Sequence, residues 1–111
     1  MKQNNDITNF DGIIFSIFCG IIATLWNYIY GFDNHIEQLP ILKRAIDSSY
    51  LINDFFTNAT SGFGPRYYFV NSVALLSNFF SVPAIFFVFT LISNTIVSII
   101  TYIFSRDFFN N

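Results

Sequence analysis

Residues 67–105 decide the fold, and they read YYFVNSVALLSNFFSVPAIFFVFTLISNTIVSIITYIFS. None of them is charged, although the chain has five Lys and Arg residues and seven Asp and Glu residues. A charge at the centre of a bilayer costs at least ~2.5–3.5 kcal/mol, and about 20 apolar residues are needed to cross the hydrocarbon core. The segregation of charge therefore predicts that this part of the chain lies in lipid.

A second uncharged run, Gly12–Phe32, lies near the amino terminus. A cleaved signal peptide is the alternative interpretation, but such a signal has a basic start and a shorter apolar part. The segment before this run contains one basic residue, Lys2, and two acidic ones, Asp6 and Asp11, so its side chains are not net basic. We therefore expect a retained transmembrane helix. Cys19, the only cysteine, lies within this run, and we expect it to be a small packing residue rather than a disulfide or metal ligand.

The composition excludes an ordinary soluble domain. Hydrophobic residues make up 53% of the chain and charged residues 11%, whereas soluble domains carry about 25% charged residues. Sixteen Phe residues would exceed the core that a soluble fold of this length can offer, but phenylalanine needs no core in lipid. The net charge is -2 and no basic patch is present in the sequence, so we expect no nucleic acid partner.

The long uncharged run must break, because one helix of that length would reach about 60 Å, twice the hydrocarbon thickness. Proline starts helices well and disfavours helix at the residue before it, so Pro65 and Pro83 are the expected starts. The predicted spans are residues 12–30, 65–80 and 83–104, with a loop over 31–64. The fold class is thus an all-α membrane protein with three transmembrane helices. The alternative has two, with residues 65–80 lying in the interface or re-entering the membrane.

Each predicted span carries small or polar residues at steps of three or four, which places them on one helix face. Such faces allow close helix packing in lipid. The alternative, a polar pathway for a proton or substrate, is disfavoured because no stripe contains an ionisable residue. The stripes are Ser16, Gly20, Ala23 and Asn27; Asn71, Ala74, Asn78 and Ser81; and Thr90, Asn94, Ser98, Thr101 and Ser105.

The loop after the first span holds two candidate surface helices. Pro40 can begin an amphipathic helix over Pro40–Ile46, and Ser48 or Ser49 can cap a second helix that runs through Phe56. Short amphipathic helices that follow a transmembrane span are expected to lie along the membrane surface.

The candidate chemistry also lies in this loop. Asp33, His35 and Glu37 occupy alternate positions, and in an extended segment their side chains would point to one side as a divalent-metal cluster or an acid/base set. The alternative is a solvated turn at the membrane exit. Arg66, before the second span, is a candidate ligand for a phosphate or lipid headgroup, or it simply reaches towards the interface.

Four motifs carry a resemblance to a known family: GFDNHIEQLP at 31–40, RAID at 44–47, NDFF at 53–56 and FGPRYY at 63–68. From Gly12 to Phe109 the chain resembles the amino-terminal region of uncharacterised polytopic membrane proteins that are common in cyanobacteria. Their layout is similar to that of the GT-C class of glycosyltransferases, which use lipid-linked sugar donors. Ser48 departs from the pattern, because the family usually has proline after the aspartate.

The resemblance implies a role for the acidic residues of the loop. In the GT-C class an acidic residue in the first extracytoplasmic loop acts as or near the catalytic base, and Asp33 matches that position, with Glu37 and Asp54 as possible supporters. A lipid-linked sugar donor and a divalent metal would be the cofactors. Because the family has many more spans, the chain would be the amino-terminal segment of such an enzyme and would not be catalytic alone.

The alternative function is a small self-standing membrane protein that packs with a larger complex or oligomerises; a channel or transporter subunit is a poorer third. The expected partners are the lipid bilayer and other transmembrane helices, supplied by its own oligomer, a larger complex or a missing carboxyl-terminal part. The expected location is the bacterial inner (plasma) membrane. The basic residues favour a cytoplasmic loop, whereas the family topology places the loop outside, so both orientations stay open.

Overall fold

The computed structural model describes residues 3–60, 62 and 64–109, with side chains from residue 10 onward. Throughout these ranges the regular structure is helical and no strand occurs, which confirms the all-α prediction. The helices are α1 (Gln3–Asn27), α2 (Asn34–Ile46), α3 (Phe55–Thr60), α4 (Tyr67–Leu76) and α5 (Val82–Phe109).

Two of these helices are long and apolar enough to cross a membrane. They are Phe10–Asn27 within α1, with a mean hydropathy of 1.6, and Val82–Phe109 (α5), with a mean hydropathy of 2.1. In the apolar 18-residue stretch of each helix, only 17% and 11% of the residues, respectively, are buried. A core helix of a soluble protein is mostly buried, so these helices are instead compatible with contact to a lipid bilayer.

The predicted third span is not confirmed. The helix α4 has ten residues and rises about 15 Å, half of the hydrocarbon thickness, whereas residues 65–80 were expected to be helical. The hydroxyl of Ser77 donates to the carbonyl of Ala74 at 2.7 Å, and the amide of Asn78 donates to the carbonyl of Leu75 at 3.1 Å. Ser and Asn side chains compete in this way with the helical hydrogen-bond ladder, and turns follow Leu76.

The ends of the two long helices differ from the predicted ends of the spans. The first span was predicted over residues 12–30, but α1 begins at Gln3 and ends at Asn27. The last was predicted over residues 83–104, and α5 runs from Val82 to Phe109. Pro83 lies in the first turn of α5, where its missing N–H costs no helical hydrogen bond.

The helices of the loop begin at other residues than predicted. Pro40 does not start a helix. The backbone carbonyls of Phe32 and Asp33 already accept turn hydrogen bonds, so α2 begins earlier and Pro40 lies inside it. The prediction that Ser48 or Ser49 caps a helix is also wrong. The backbone N–H and hydroxyl of Ser49 both donate to Oδ1 of Asp47, at 2.9 and 2.6 Å, and this side-chain turn replaces the helix start.

Two compact units divide the chain: residues up to Tyr28 together with those from Phe87 onward form one, and Ile29–Phe86 form the other. In the first unit α1 and the part of α5 from Phe87 onward run antiparallel. Gly20 lies against Thr95, and the Tyr28 ring meets the Phe87 ring edge-on at 5.2 Å. A Cβ atom on Gly20 would lie 2.6 Å from the Cα of Thr95, so only glycine permits this approach.

A short hydrogen-bond chain lies beside Gly20. The buried hydroxyl of Thr24 donates to the carbonyl of Gly20 at 2.9 Å and accepts from Nδ2 of Asn94 at 3.0 Å. Ser16, one helical turn before Gly20, is also buried. The predicted packing stripe of α1 is therefore confirmed at Ser16 and Gly20, while Asn27 is exposed.

In the second unit α2 packs against α4 and α3. Ile41 and Leu42 of α2 and Val70 and Val73 of α4 are buried apolar residues of this unit, together with Ile85, Phe86 and the polar Thr57 of α3. The sequence predicts one apolar face formed by Ile41, Leu42, Ala45 and Ile46; Ile41 and Leu42 are buried, but Ala45 and Ile46 are exposed. The polar stripe that was predicted as the packing face of the middle span is not buried, because Asn71 and Asn78 are exposed.

Candidate functional site

A cavity of about 690 Å³ lies within the Ile29–Phe86 unit, between α2, α3 and α4. Ligand sites commonly have volumes of roughly 300–1,000 Å³. Two arginines line it, Arg44 from α2 and Arg66 from the turn before α4. None of the described lining residues is acidic. The other polar lining residues are Thr60, Tyr67 and Asn71, and the apolar ones include Ile41, Ala45, Pro65 and Val70.

Arg44 connects α2 to the segment that follows it. Its Nη1 donates to the carbonyl of Tyr50 at 2.8 Å, and its Nη2 donates to Oδ1 of Asn58 at 3.2 Å. The amide of Asn58 in turn donates to the carbonyl of Ile52 at 2.8 Å. Arg44 is half-buried, so these contacts fix the guanidinium beside the cavity.

Arg66 is paired with Glu37 of α2. Its Nη2 donates to Oε2 of Glu37 at 2.7 Å. The two side chains are 42% and 55% exposed, and such surface pairs contribute about 0–1 kcal/mol. The pair therefore orients Arg66 more than it stabilises the unit. The structure thus brings together two of the predicted site residues, Glu37 and Arg66.

Asp33 and His35 make different contacts. Asp33 precedes α2 in a left-handed conformation, with φ at 51°, and its side chain makes no cap hydrogen bond. Nδ1 of His35 accepts the backbone N–H of Gly31 at 3.1 Å, and the ring meets the edge of Phe86 at 4.6 Å. His35 therefore closes the turn between α1 and α2.

The structure does not present Asp33, His35 and Glu37 as a metal site. Their convergence requires an extended segment, but α2 begins at Asn34, and residues two apart lie on different faces of a helix. One His35 nitrogen is already occupied by a backbone N–H. Over the described ranges, no group of three His, Cys, Asp or Glu side chains lies close enough to hold an ion.

Asp54 and Asp47 stabilise turns. Oδ2 of Asp54 accepts the backbone N–H of Thr57 at 2.7 Å, which is the hydrogen bond of an N-cap of α3. This bond lowers the pKa of the Asp54 carboxyl below its ordinary value. The hydroxyl and backbone hydrogen bonds from Ser49 likewise lower the pKa of Asp47. A lowered pKa makes Asp54 a weaker proton acceptor, so its observed role is capping.

The sequence pointed to Arg66 but not to Arg44 or to the cavity. The helix α2 brings Arg44 to the same cavity as Arg66, 22 positions later in the chain. The available signal was that three of the five basic residues lie between residues 43 and 66. Which of them share a site depends on the packing of α2 against α3 and α4, which the local sequence pattern does not reveal.

Comparisons with protein-family models, with curated proteins and with solved structures find no match for this chain. The resemblance to the amino-terminal region of GT-C-like proteins therefore stays a prediction that rests on the four loop motifs.

Proposed function

We propose that this chain is an integral membrane protein whose helices α1 and α5 cross the bilayer as a two-span hairpin and pack against further transmembrane helices. The approach of Gly20 to the Thr95 backbone carries this proposal. Close backbone contact at small residues and a hydrogen bond such as that between Asn94 and Thr24 are typical of helix association in lipid. Because α1 packs against α5, α1 is part of the fold, which favours a retained span over a cleaved signal.

The surfaces turned away from this contact are apolar. Phe15, Phe18 and Trp26 of α1 are 69%, 58% and 85% exposed, and Phe104 of α5 is 70% exposed. Lipid tails or neighbouring helices would cover such side chains, and Trp26 lies at a helix end, where aromatic rings favour the headgroup region. The proposed location is the bacterial inner membrane.

The more specific proposal is that the chain is the amino-terminal segment of a GT-C-like polytopic glycosyltransferase and is not catalytic alone. The loop motifs support it, and so does the position of Asp33 at the start of α2, where its carboxylate makes no cap hydrogen bond. In this proposal Asp33 is the base that activates the acceptor hydroxyl of a sugar transfer from a lipid-linked donor. Glu37 would support the reaction by orienting Arg66, and Asp54 would support it by capping α3.

The size of the native product tests this assignment first. An antibody raised against the loop Asp33–Arg66 should detect a band far larger than 12.8 kDa in the native membrane. In that longer protein, Asp33→Asn should abolish sugar transfer, while Asp107→Asn, an exposed aspartate of α5, should leave it unchanged. Normal transfer by Asp33→Asn would remove Asp33 from the mechanism.

A second candidate function is a self-standing membrane protein that oligomerises or joins a larger complex. It is favoured by polar residues such as Ser93 and Thr101, which are exposed in α5 although the helix is apolar. A native band near 12.8 kDa, together with a detergent-solubilised oligomer of one defined size, would establish this function instead of the first.

A further inference from the structure

We propose that the cavity between α2, α3 and α4 binds a phosphate group, presented by the headgroup of an anionic membrane lipid. Arg44 and Arg66 both line this cavity, and no acidic side chain does so among the described lining residues. Guanidinium groups match phosphate geometry because their N–H donors lie in one plane as a fork. Asn71 adds an amide that keeps one N–H donor beside its bond to the Tyr67 carbonyl, whereas the hydroxyl of Thr60 already donates to the carbonyl of Phe56.

The two guanidinium groups are held in place but keep donors for a ligand. Each has five N–H donors. Arg44 uses one donor on Tyr50 and one on Asn58, and Arg66 uses one on Glu37. These contacts reduce the conformational freedom that each side chain would lose when it binds an anion, which favours binding.

The rest of the lining favours a lipid over a free ion. Ile41 and Val70 are buried apolar residues that also line the cavity, so a ligand meets charge and apolar surface together. Residues 28–81, which contain the whole cavity lining, lie in sequence between the two candidate spans, so both ends of this segment meet the same membrane face if α1 and α5 cross the bilayer. The lipid as source rests on the proposed membrane placement, whereas the phosphate site does not.

The test measures binding to the purified full chain in phosphatidylcholine nanodiscs. Phosphatidylglycerol and, separately, inorganic phosphate are titrated, and the apparent Kd is read from the shift in melting temperature. We expect saturable binding of phosphatidylglycerol, and Arg66→Gln should weaken it about tenfold or more, the effect of one charged hydrogen-bond partner. Arg106→Gln is the matched control, because Arg106 also pairs with a neighbouring carboxylate but lies in α5; this change should leave the Kd unaltered.

Glu37→Gln provides a second variant that does not depend on removing a lining residue. The glutamine amide oxygen can still accept from Arg66 and orient it, but the negative charge that competes with an anion is gone, so binding should tighten several-fold. A purely structural role for the ion pair would weaken binding or leave it unchanged. Competition by millimolar inorganic phosphate would support the site with a soluble phosphate as the source. No saturable binding of either probe, or equal binding by wild type, Arg66→Gln and Glu37→Gln, would overturn the proposal. All these outcomes are independent of the native length of the protein and so of the glycosyltransferase assignment.

Discussion

At the scale of single residues, the contact between α1 and α5 depends on the absence of one side chain. Gly20 permits the backbones to approach, and beside it the amide of Asn94 donates to the hydroxyl of Thr24, which itself donates to the carbonyl of Gly20. In lipid no water can replace such a partner, so a hydrogen bond and a missing Cβ together specify which helix faces meet.

Gly20→Ala should destabilise the hairpin by about 1–3 kcal/mol, the usual cost of overpacking. The added Cβ would meet the Cα and N of Thr95, which are backbone atoms that cannot rotate away. The free energy of unfolding in a detergent titration with SDS measures the effect. Gly62→Ala is the control, because a Cβ there meets nothing within 4 Å. Equal stability of the two variants would contradict the observed helix contact.

Two aspartates should make the stability of the Ile29–Phe86 unit, called the loop unit below, decrease in acid. The folded-state pKa values of Asp54 and Asp47 lie below their ordinary values. Their stabilisation is therefore present above the unfolded-state pKa of about 3.9 and is lost as the pH falls through the lowered values. Hydrogen exchange at the Thr57 amide, corrected for the intrinsic rate, should accelerate below about pH 4.

Asp54→Asn is the matched variant for this prediction. Asparagine caps helices about as well as aspartate but does not titrate in this range, so the Thr57 amide of Asp54→Asn should stay protected. The same acid response in both proteins would show that the cap does not control the opening of α3.

At the scale of helices, the long elements were predictable and the short ones only in part. Absence of charge located both long helices, and Pro83 located the start of α5 to within one residue, but α1 begins nine residues before its predicted start because its polar first turns give no hydropathy signal. The end of α4 depends on whether Ser77 and Asn78 bond back to the preceding carbonyls, and the sequence does not reveal this competition. The start of α3 was predicted wrongly because the Asp47 carboxylate accepts the backbone N–H of Ser49, and this turn takes the place of a helix cap.

Within the loop unit, α2 is held by its apolar face rather than by its charges. Leu42 is 2% exposed, so Leu42→Ala should destabilise the unit by about 2–5 kcal/mol through lost burial and the cavity that remains. Ile46, one turn later, is 52% exposed, and Ile46→Ala should change stability by no more than about 0.5 kcal/mol. Hydrogen exchange across Asn34–Ile46 distinguishes the variants. Similar exchange in both would mean that Leu42 does not hold α2 in place.

At the scale of the whole molecule, the lengths of the apolar helices are compatible with two crossings. Two helices reach the length of a span, and α4 does not. An even number of crossings places both ends of the chain on one side of the membrane and residues 28–81 on the other. Three crossings would instead place the carboxyl-terminal end on the same side as the loop that follows α1.

Labelling of single cysteines in sealed membrane vesicles tests the two-span hairpin most directly. Cys19→Ser removes the only native thiol, and Asp11→Cys, Asn53→Cys and Asp107→Cys then report the two ends and the loop in turn. With a membrane-impermeant maleimide, we expect residues 11 and 107 to be labelled from one face and residue 53 from the other. Labelling of residue 107 together with residue 53 would contradict the two-span hairpin, and labelling of all three from both faces would contradict membrane insertion.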